Sequence, residues 1–145
     1  GITDLSILGE LTIQIDCDVI QADAGTRTAS INGGFIALSQ AINLLVNQNK
    51  ITSSPILNNV CAVSIALIGD DLLLDPCYEE DFNADVDFNI VMTDEKQLIE
   101  IQGGTEAGPF STDKIPQIID LATKGTSEIA VFQNQYLTGL NVNEN

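Results

Sequence analysis

Nine consecutive residues near the middle of the chain, VCAVSIALI at positions 60–68, are apolar on both faces when laid out as a strand. A strand with one solvated face alternates, so this run predicts a central strand with neighbours on both sides. The flanking sequence supplies them. After the GDD turn, DLLLDP continues as a strand. ADVDFNIVMT and KQLIEIQ then alternate about the turn at Asp94 and Glu95, the pattern of a hairpin. Upstream, LTIQIDCDVI (11–20) alternates strictly, with Ile13, Ile15, Cys17 and Val19 on one face and Thr12, Gln14, Asp16 and Asp18 on the other. That predicts a half-buried strand.

Two helices complete the order. Beyond the ADAGT turn, Ile31, Phe35, Leu38, Ile42 and Leu45 recur at steps of three and four, predicting a helix from about Thr28 to Val46 that NKITSSP ends. A final helix is expected to start near Ser111 to Asp113, with Pro116 in its first turn. Its buried stripe reads as Ile118, Leu121 or Ala122, Ile129, Phe132 and Tyr136, and the NVNEN tail reads as frayed. Strand, helix, four strands, helix is an α+β arrangement, a sheet with helices packed on it. With no internal repeat and no linker, residues 1–145 read as a single domain.

Charge and residue inventory narrow the chemistry. Five Lys and Arg against 21 Asp and Glu give a formal net charge of −16. Such a surface repels RNA or DNA at long range, so any nucleic-acid role must borrow positive charge from metal ions or partner segments. There is no histidine, which excludes Ser-His-Asp and Cys-His catalysis and any histidine-containing zinc set. Cys17, Cys61 and Cys77 form no C-x-x-C pair, and Cys17, on the apolar side of its expected strand, reads as a packed thiol rather than a nucleophile. No apolar run approaches the ~18 residues needed to span a bilayer, and no basic segment leads into an apolar one at the N-terminus. The expectation is a soluble, unsecreted chain in a reducing compartment, free of any membrane.

Two clusters are candidate sites. Gly25, Thr26, Arg27, Thr28 and Ser30 lie at the start of the long helix, where glycine permits a tight turn and the first-turn N–H groups favour an anion. Arg27, the only arginine, would add a bidentate clamp. The alternative is an ordinary helix start, capped by Thr or Ser, with Arg27 paired to a nearby acid. The second cluster is YEEDFNADVDFN (78–89), with Glu79, Glu80, Asp81, Asp85 and Asp87. Asp85 and Asp87 share one face of an extended segment that Asp81 precedes, and converging carboxylates suit Mg²⁺ or Mn²⁺. A solvated acidic edge that blocks strand-to-strand pairing is the alternative. An EF-hand is excluded, since Val86 and Met92 occupy the positions that need glycine and glutamate. The glycines of NGGF, inside the helix, read as close-packing positions rather than a nucleotide loop.

TIQIDCDVIQADAGTRTASINGGFIAL, then LLLDPCYEEDFNADVDFNIVMT, then IEIQGGTEAGPFS, resembles the bacterial ribonuclease PH family from about Ile7 to Phe132. The resemblance implies a ribonuclease PH-like fold and a phosphate-dependent 3′-5′ exoribonuclease (tRNA nucleotidyltransferase) that trims tRNA 3′ ends and releases nucleoside diphosphates. It further implies that Gly25, Thr26, Arg27, Thr28 and Ser30 bind inorganic phosphate, the co-substrate, and that Asp81 and Asp87 act in catalysis by holding Mg²⁺ or Mn²⁺. RNA as partner, a homo-oligomeric ring of dimers and a cytoplasmic location follow from the same resemblance. Several positions depart from the family pattern. Leu11 stands in place of an arginine, Ala24 in place of a glycine, and the N-terminal portion of the family is not represented. The alternative is a non-catalytic subunit of such a ring; a third reading is an acidic domain that binds divalent ions without an RNA role.

Overall fold

The computed structural model describes residues 2–105 and 108–142. Its core is a four-stranded antiparallel sheet of β1 (Val60–Ile68), β2 (Asp71–Leu74), β3 (Val86–Thr93) and β4 (Leu98–Thr105), in the order β2-β1-β3-β4. The doubly apolar run is the inner strand β1, with seven consecutive residues buried. Register decides what each face presents. On one face Val63, Ile65 and Leu67 stand with Val86, Phe88, Ile90 and Met92, and α4 (Ile115–Val142) covers them through Ile118 and Ala122. The opposite face carries Ala62, Ser64 and Ala66 beside Val91, Asn89 and Asp87. There α2 (Thr26–Asn47) lies, burying Thr28, Phe35, Ser39 and Ile42. By length and a mean hydropathy of 1.4 alone α2 would also cross a membrane. Its polar contacts with β1 identify it instead as a core helix of this fold.

β2 is short, so β1 has an open edge from Val60 to Ser64, and side chains complete it. Asn32 of α2 donates to the carbonyl of Ala62 and accepts from its N–H, both at 2.8 Å. Gln133 of α4 donates to the Val60 carbonyl at 2.9 Å, and the N–H of Asp75 reaches the Ser64 carbonyl at 2.9 Å. These bonds satisfy buried groups that would otherwise each cost about 1–3 kcal/mol, and they tie both helices to one strand.

Two expectations are corrected. Residues 11–20 form no strand. Their alternation is present, but neither sheet edge takes them up, and a strand without a ladder leaves its N–H and C=O groups unpaired. The segment runs along α2 instead, where a Cβ on Gly34 would touch Ile15 and Cys17, and the Cys17 thiol donates to the Ser30 carbonyl at 3.7 Å. Cys17 is therefore exposed rather than packed. Second, Phe132 and Tyr136 are 70% and 52% exposed. The buried line of α4 passes through Ile118, Ala122, Thr126, Ala130 and Gln133, including polar residues that an apolar stripe omits. The Thr126 hydroxyl donates to the Ala122 carbonyl at 2.8 Å, so its burial leaves nothing unpaired. Asp81, ahead of β3 as expected, sits on a short helix, α3 (Tyr78–Phe82). A further short helix, α1 (Leu5–Leu8), is capped by Asp4, whose carboxylate is held below its ordinary pKa by hydrogen bonds from the Ser6 hydroxyl and N–H. Before α4, Ser111 caps a 3₁₀ turn over Thr112–Lys114 at the expected start. Of the NVNEN tail, Asn141 and Val142 close α4, and residues 143–145 lie outside the described residues.

Candidate phosphate and acidic site

The start of α2 follows from Gly25. Its backbone is left-handed (φ 61°, ψ 26°), and a Cβ there would stand 3.0 Å from the Ser64 Oγ. Both facts require glycine, since an L-residue is strained in this region and a side chain would push the helix off β1. No side-chain cap hydrogen bond is made at Gly25, so the first-turn N–H groups, which have no intrahelical partner, have no capping side chain.

The start of α2 and Asp87 lie on the same face of the sheet. Successive rows across β1, β3 and β4 are Ala66–Asp87–Gly104, Ser64–Asn89–Gln102 and Ala62–Val91–Glu100. Rows two residues apart are separated by about 7 Å. The hydroxyls of Thr28 and Ser64 are 3.1 Å apart, which sets the helix start over the middle row. Arg27 reaches the third row, donating from Nη2 to Glu100 Oε1 at 2.8 Å. Asp87 occupies the first row, one repeat from the helix start and two, about 14 Å, from the row that Arg27 reaches.

Around Asp87, a cavity of about 460 Å³ is lined by Asp81, Phe82, Ala84, Asp85, Val86 and Gly104 together with it. Gly104 stands opposite Asp87, and a Cβ on it would meet nothing, so the cavity floor there is bare backbone. Asp85 Oδ2 already accepts from the Gly69 N–H at 2.6 Å, which fixes the turn after β1. That leaves Asp81 and Asp87 as the uncommitted carboxylates. No group of three or more metal-ligating side chains occurs among the described residues. Asp81 and Asp87 supply hard oxygen donors to one cavity, the ligand type that Mg²⁺ takes when it keeps several waters and few protein carboxylates.

Several expected residues have defined structural roles. Thr28 is buried, and its hydroxyl donates to the Gly25 carbonyl at 2.8 Å, so it joins the helix to the sheet and only its N–H faces the turn. The Ser30 hydroxyl donates to the Thr26 carbonyl at 2.8 Å. Arg27 pairs with an acid, and because both partners are about half exposed the pair is worth no more than ~1 kcal/mol.

Asp23 is the residue the sequence analysis missed. Its Oδ1 accepts from the Tyr78 N–H at 2.6 Å, binding the turn before Gly25 to the first residue of α3 and so fastening the glycine turn to the helix that carries Asp81. An Asp two residues before a turn glycine is a turn signal, but nothing local identifies a partner 55 residues away. Within α3, Glu80 accepts from the Cys77 N–H at 2.8 Å and closes a capping box.

Comparison with known proteins gives consistent matches. A profile of the 3′ exoribonuclease family, domain 2, matches residues 58–125. Ribonuclease PH of Synechococcus elongatus is 53% identical over 134 residues, covering 92% of this chain and 56% of that protein. Ribonuclease PH of Crocosphaera subtropica is 48% identical over 135 residues, covering 93% and 56%. The chain thus spans little more than half the length of these relatives. In fold it is similar to rice (Oryza sativa) Rrp46, with a TM-score of 0.63 at 18% identity over 82% of this chain and 51% of that one.

Proposed function

Since the chain belongs to the ribonuclease PH family through the C-terminal portion of its members, we propose that it carries the phosphate-binding turn and acidic pair of a phosphorolytic 3′-5′ exoribonuclease acting on tRNA ends. The observation that supports this most is that the α2 start, over the Ser64–Asn89 row, and Asp87, one row away, share one sheet face. In this reaction an oxygen of inorganic phosphate forms a bond to the last phosphorus of the RNA. The P–O3′ bond breaks, the proton of the attacking phosphate ends on the shortened RNA's 3′ hydroxyl, and a nucleoside diphosphate leaves. Because phosphate is the nucleophile, no histidine base is required.

In this proposal the first-turn N–H groups from Gly25 to Thr28, with the Thr26 hydroxyl and the Arg27 guanidinium, hold and orient the attacking phosphate, and Ser30 supports the turn. Asp81 and Asp87 would hold Mg²⁺ or Mn²⁺, which when bound neutralises charge developing at the scissile phosphate. A homo-oligomeric ring and a cytoplasmic location accompany the proposal. The test is phosphate-dependent release of nucleoside diphosphate from a short 3′-tailed RNA with Mg²⁺, recorded together with oligomer mass. Product that vanishes without phosphate supports the reading. A folded oligomer that yields none favours a non-catalytic ring subunit, the reading to which the charge of −16 and the engagement of Arg27 by Glu100 point.

A further inference from the structure

The short helix α3 presents two aromatic rings to solvent. Tyr78 and Phe82 are 61% and 74% exposed, an i, i+4 pair with ring centroids 6.1 Å apart and planes tilted by 31°. Neither belongs to the core cluster. Phe82 lines the same cavity as Asp81 and Asp87, so the apolar surface begins where the carboxylates end. A large exposed aromatic at the rim of a polar cavity calls for a ligand that is itself flat, apolar on its faces and polar at its edge.

The charge distribution opposes a nucleic acid at long range, so a contact with one has to work without cations. Nucleic-acid affinity usually comes from cationic contacts, and this chain has five cationic side chains against 21 acidic ones. Of the five, Arg27 is engaged by Glu100 and Lys114 by Asp70. Stacking on an aromatic ring needs no positive charge and accepts every base, because each has a π-face. We propose that Tyr78 and Phe82 form a stacking platform for the 3′-terminal bases of single-stranded RNA, Phe82 nearest the cavity and Tyr78 one helical turn behind it. This rests on the phosphorolytic reading and names the part of the site that holds the RNA rather than the phosphate.

The test is equilibrium binding of a fluorescein-labelled oligoadenylate and, separately, of inorganic phosphate, to the wild type and to Phe82→Ala, Phe82→Trp and Tyr78→Ala. Both rings are exposed, so the variants are expected to keep the wild-type urea midpoint. Phe82→Ala should weaken oligoadenylate roughly tenfold or more, Phe82→Trp should bind at least as tightly as wild type, and phosphate affinity should be unchanged in all. An abasic oligonucleotide of equal length should bind the wild type as weakly as oligoadenylate binds Phe82→Ala. Equal oligoadenylate binding by wild type and Phe82→Ala would overturn the platform while leaving phosphorolysis intact. A drop in oligomer mass in Phe82→Ala without loss of RNA affinity would overturn it in favour of a protein contact. A wild type that binds phosphate but no oligoadenylate sinks the platform alone, and one that binds neither removes the phosphorolytic reading with it.

Discussion

Replacing Glu100 with glutamine should tighten phosphate binding, because Glu100 competes for the same guanidinium. The pair is a single contact of 2.8 Å between side chains 45% and 42% exposed. Exposed pairs of this kind are worth ~0.2–1 kcal/mol, so an incoming phosphate displaces Glu100 at that cost. Removing it corresponds to about a 1.4- to 5-fold lower Kd. The assay is calorimetric titration with phosphate at low ionic strength, repeated at 1 M salt, where screening should shrink the gain. Asp120→Asn, on α4 across the sheet, removes the same unit of charge and controls for the overall field. Adding Arg27→Ala to Glu100→Gln should erase the improvement. If Glu100→Gln binds phosphate no better than Asp120→Asn, the assignment of Arg27 as the phosphate clamp is wrong.

Other outcomes follow from the same contacts. Gly103→Ala would place a Cβ 2.2 Å from Phe88 Cδ1 and 2.8 Å from the Asp87 carbonyl, so its urea midpoint should fall by roughly 1–3 kcal/mol equivalent, while Gly104→Ala should stay near wild type. Burial, and secondarily Asp94, push the Cys61 thiol up to about 12 from 9.0. The folded state then retains a proton that the unfolded state loses, so this residue's contribution is intact below pH 9 and falls by about 1.4 kcal/mol per unit as pH rises toward 12. A Cys61→Ala chain should show a shallower alkaline loss in urea melts. Asp23→Ala should expose the Tyr78 amide to faster hydrogen exchange, at a cost of ~0.5–2 kcal/mol to α3; unchanged protection there would remove Asp23 as a tether. Oligoadenylate affinity should rise, not fall, as monovalent salt increases from very low levels, since screening relieves repulsion from a chain of charge −16. The steep decline typical of nucleic-acid binders would show that cationic contacts dominate after all.

Elements held by their own periodicity were legible in the sequence. β1 declares itself because a doubly buried strand cannot alternate, the hairpin of β3 and β4 by alternation about Asp94 and Glu95, and α2 within two residues of its start. What failed depended on partners. Residues 11–20 have a strand's alternation, but pairing needs a second strand, and pattern alone does not reveal whether one is present. The final stripe held at Ile118, Ala122 and Ile129 and failed at Phe132 and Tyr136, where Thr126 and Gln133 are buried instead through hydrogen bonds to Ala122 and Val60, which an apolar count cannot foresee. Both site clusters were legible as residue types. That the start of α2 and Asp87 share one face was not, since it follows from the pairing of Ser64 with Asn89 and Ala66 with Asp87.

The lone arginine and the strongly acidic surface are compatible once range is separated from contact. Net charge governs approach over a Debye length of about 8 Å at physiological salt. Binding of a small anion is decided closer in, by N–H groups directed at it and by one guanidinium. The start of α2 offers the first without adding charge, because no side-chain cap hydrogen bond takes up its N–H groups and Gly25 lets the backbone come close to β1. In the proposed role Arg27 supplies the second, under restraint from Glu100, to which it donates across the sheet. An extended polyanion gains little from one such contact and meets the whole negative surface. In the proposed role inorganic phosphate is small enough to be held almost entirely by that one turn, and the acidic surface that disfavours nonspecific RNA binding does not bar it.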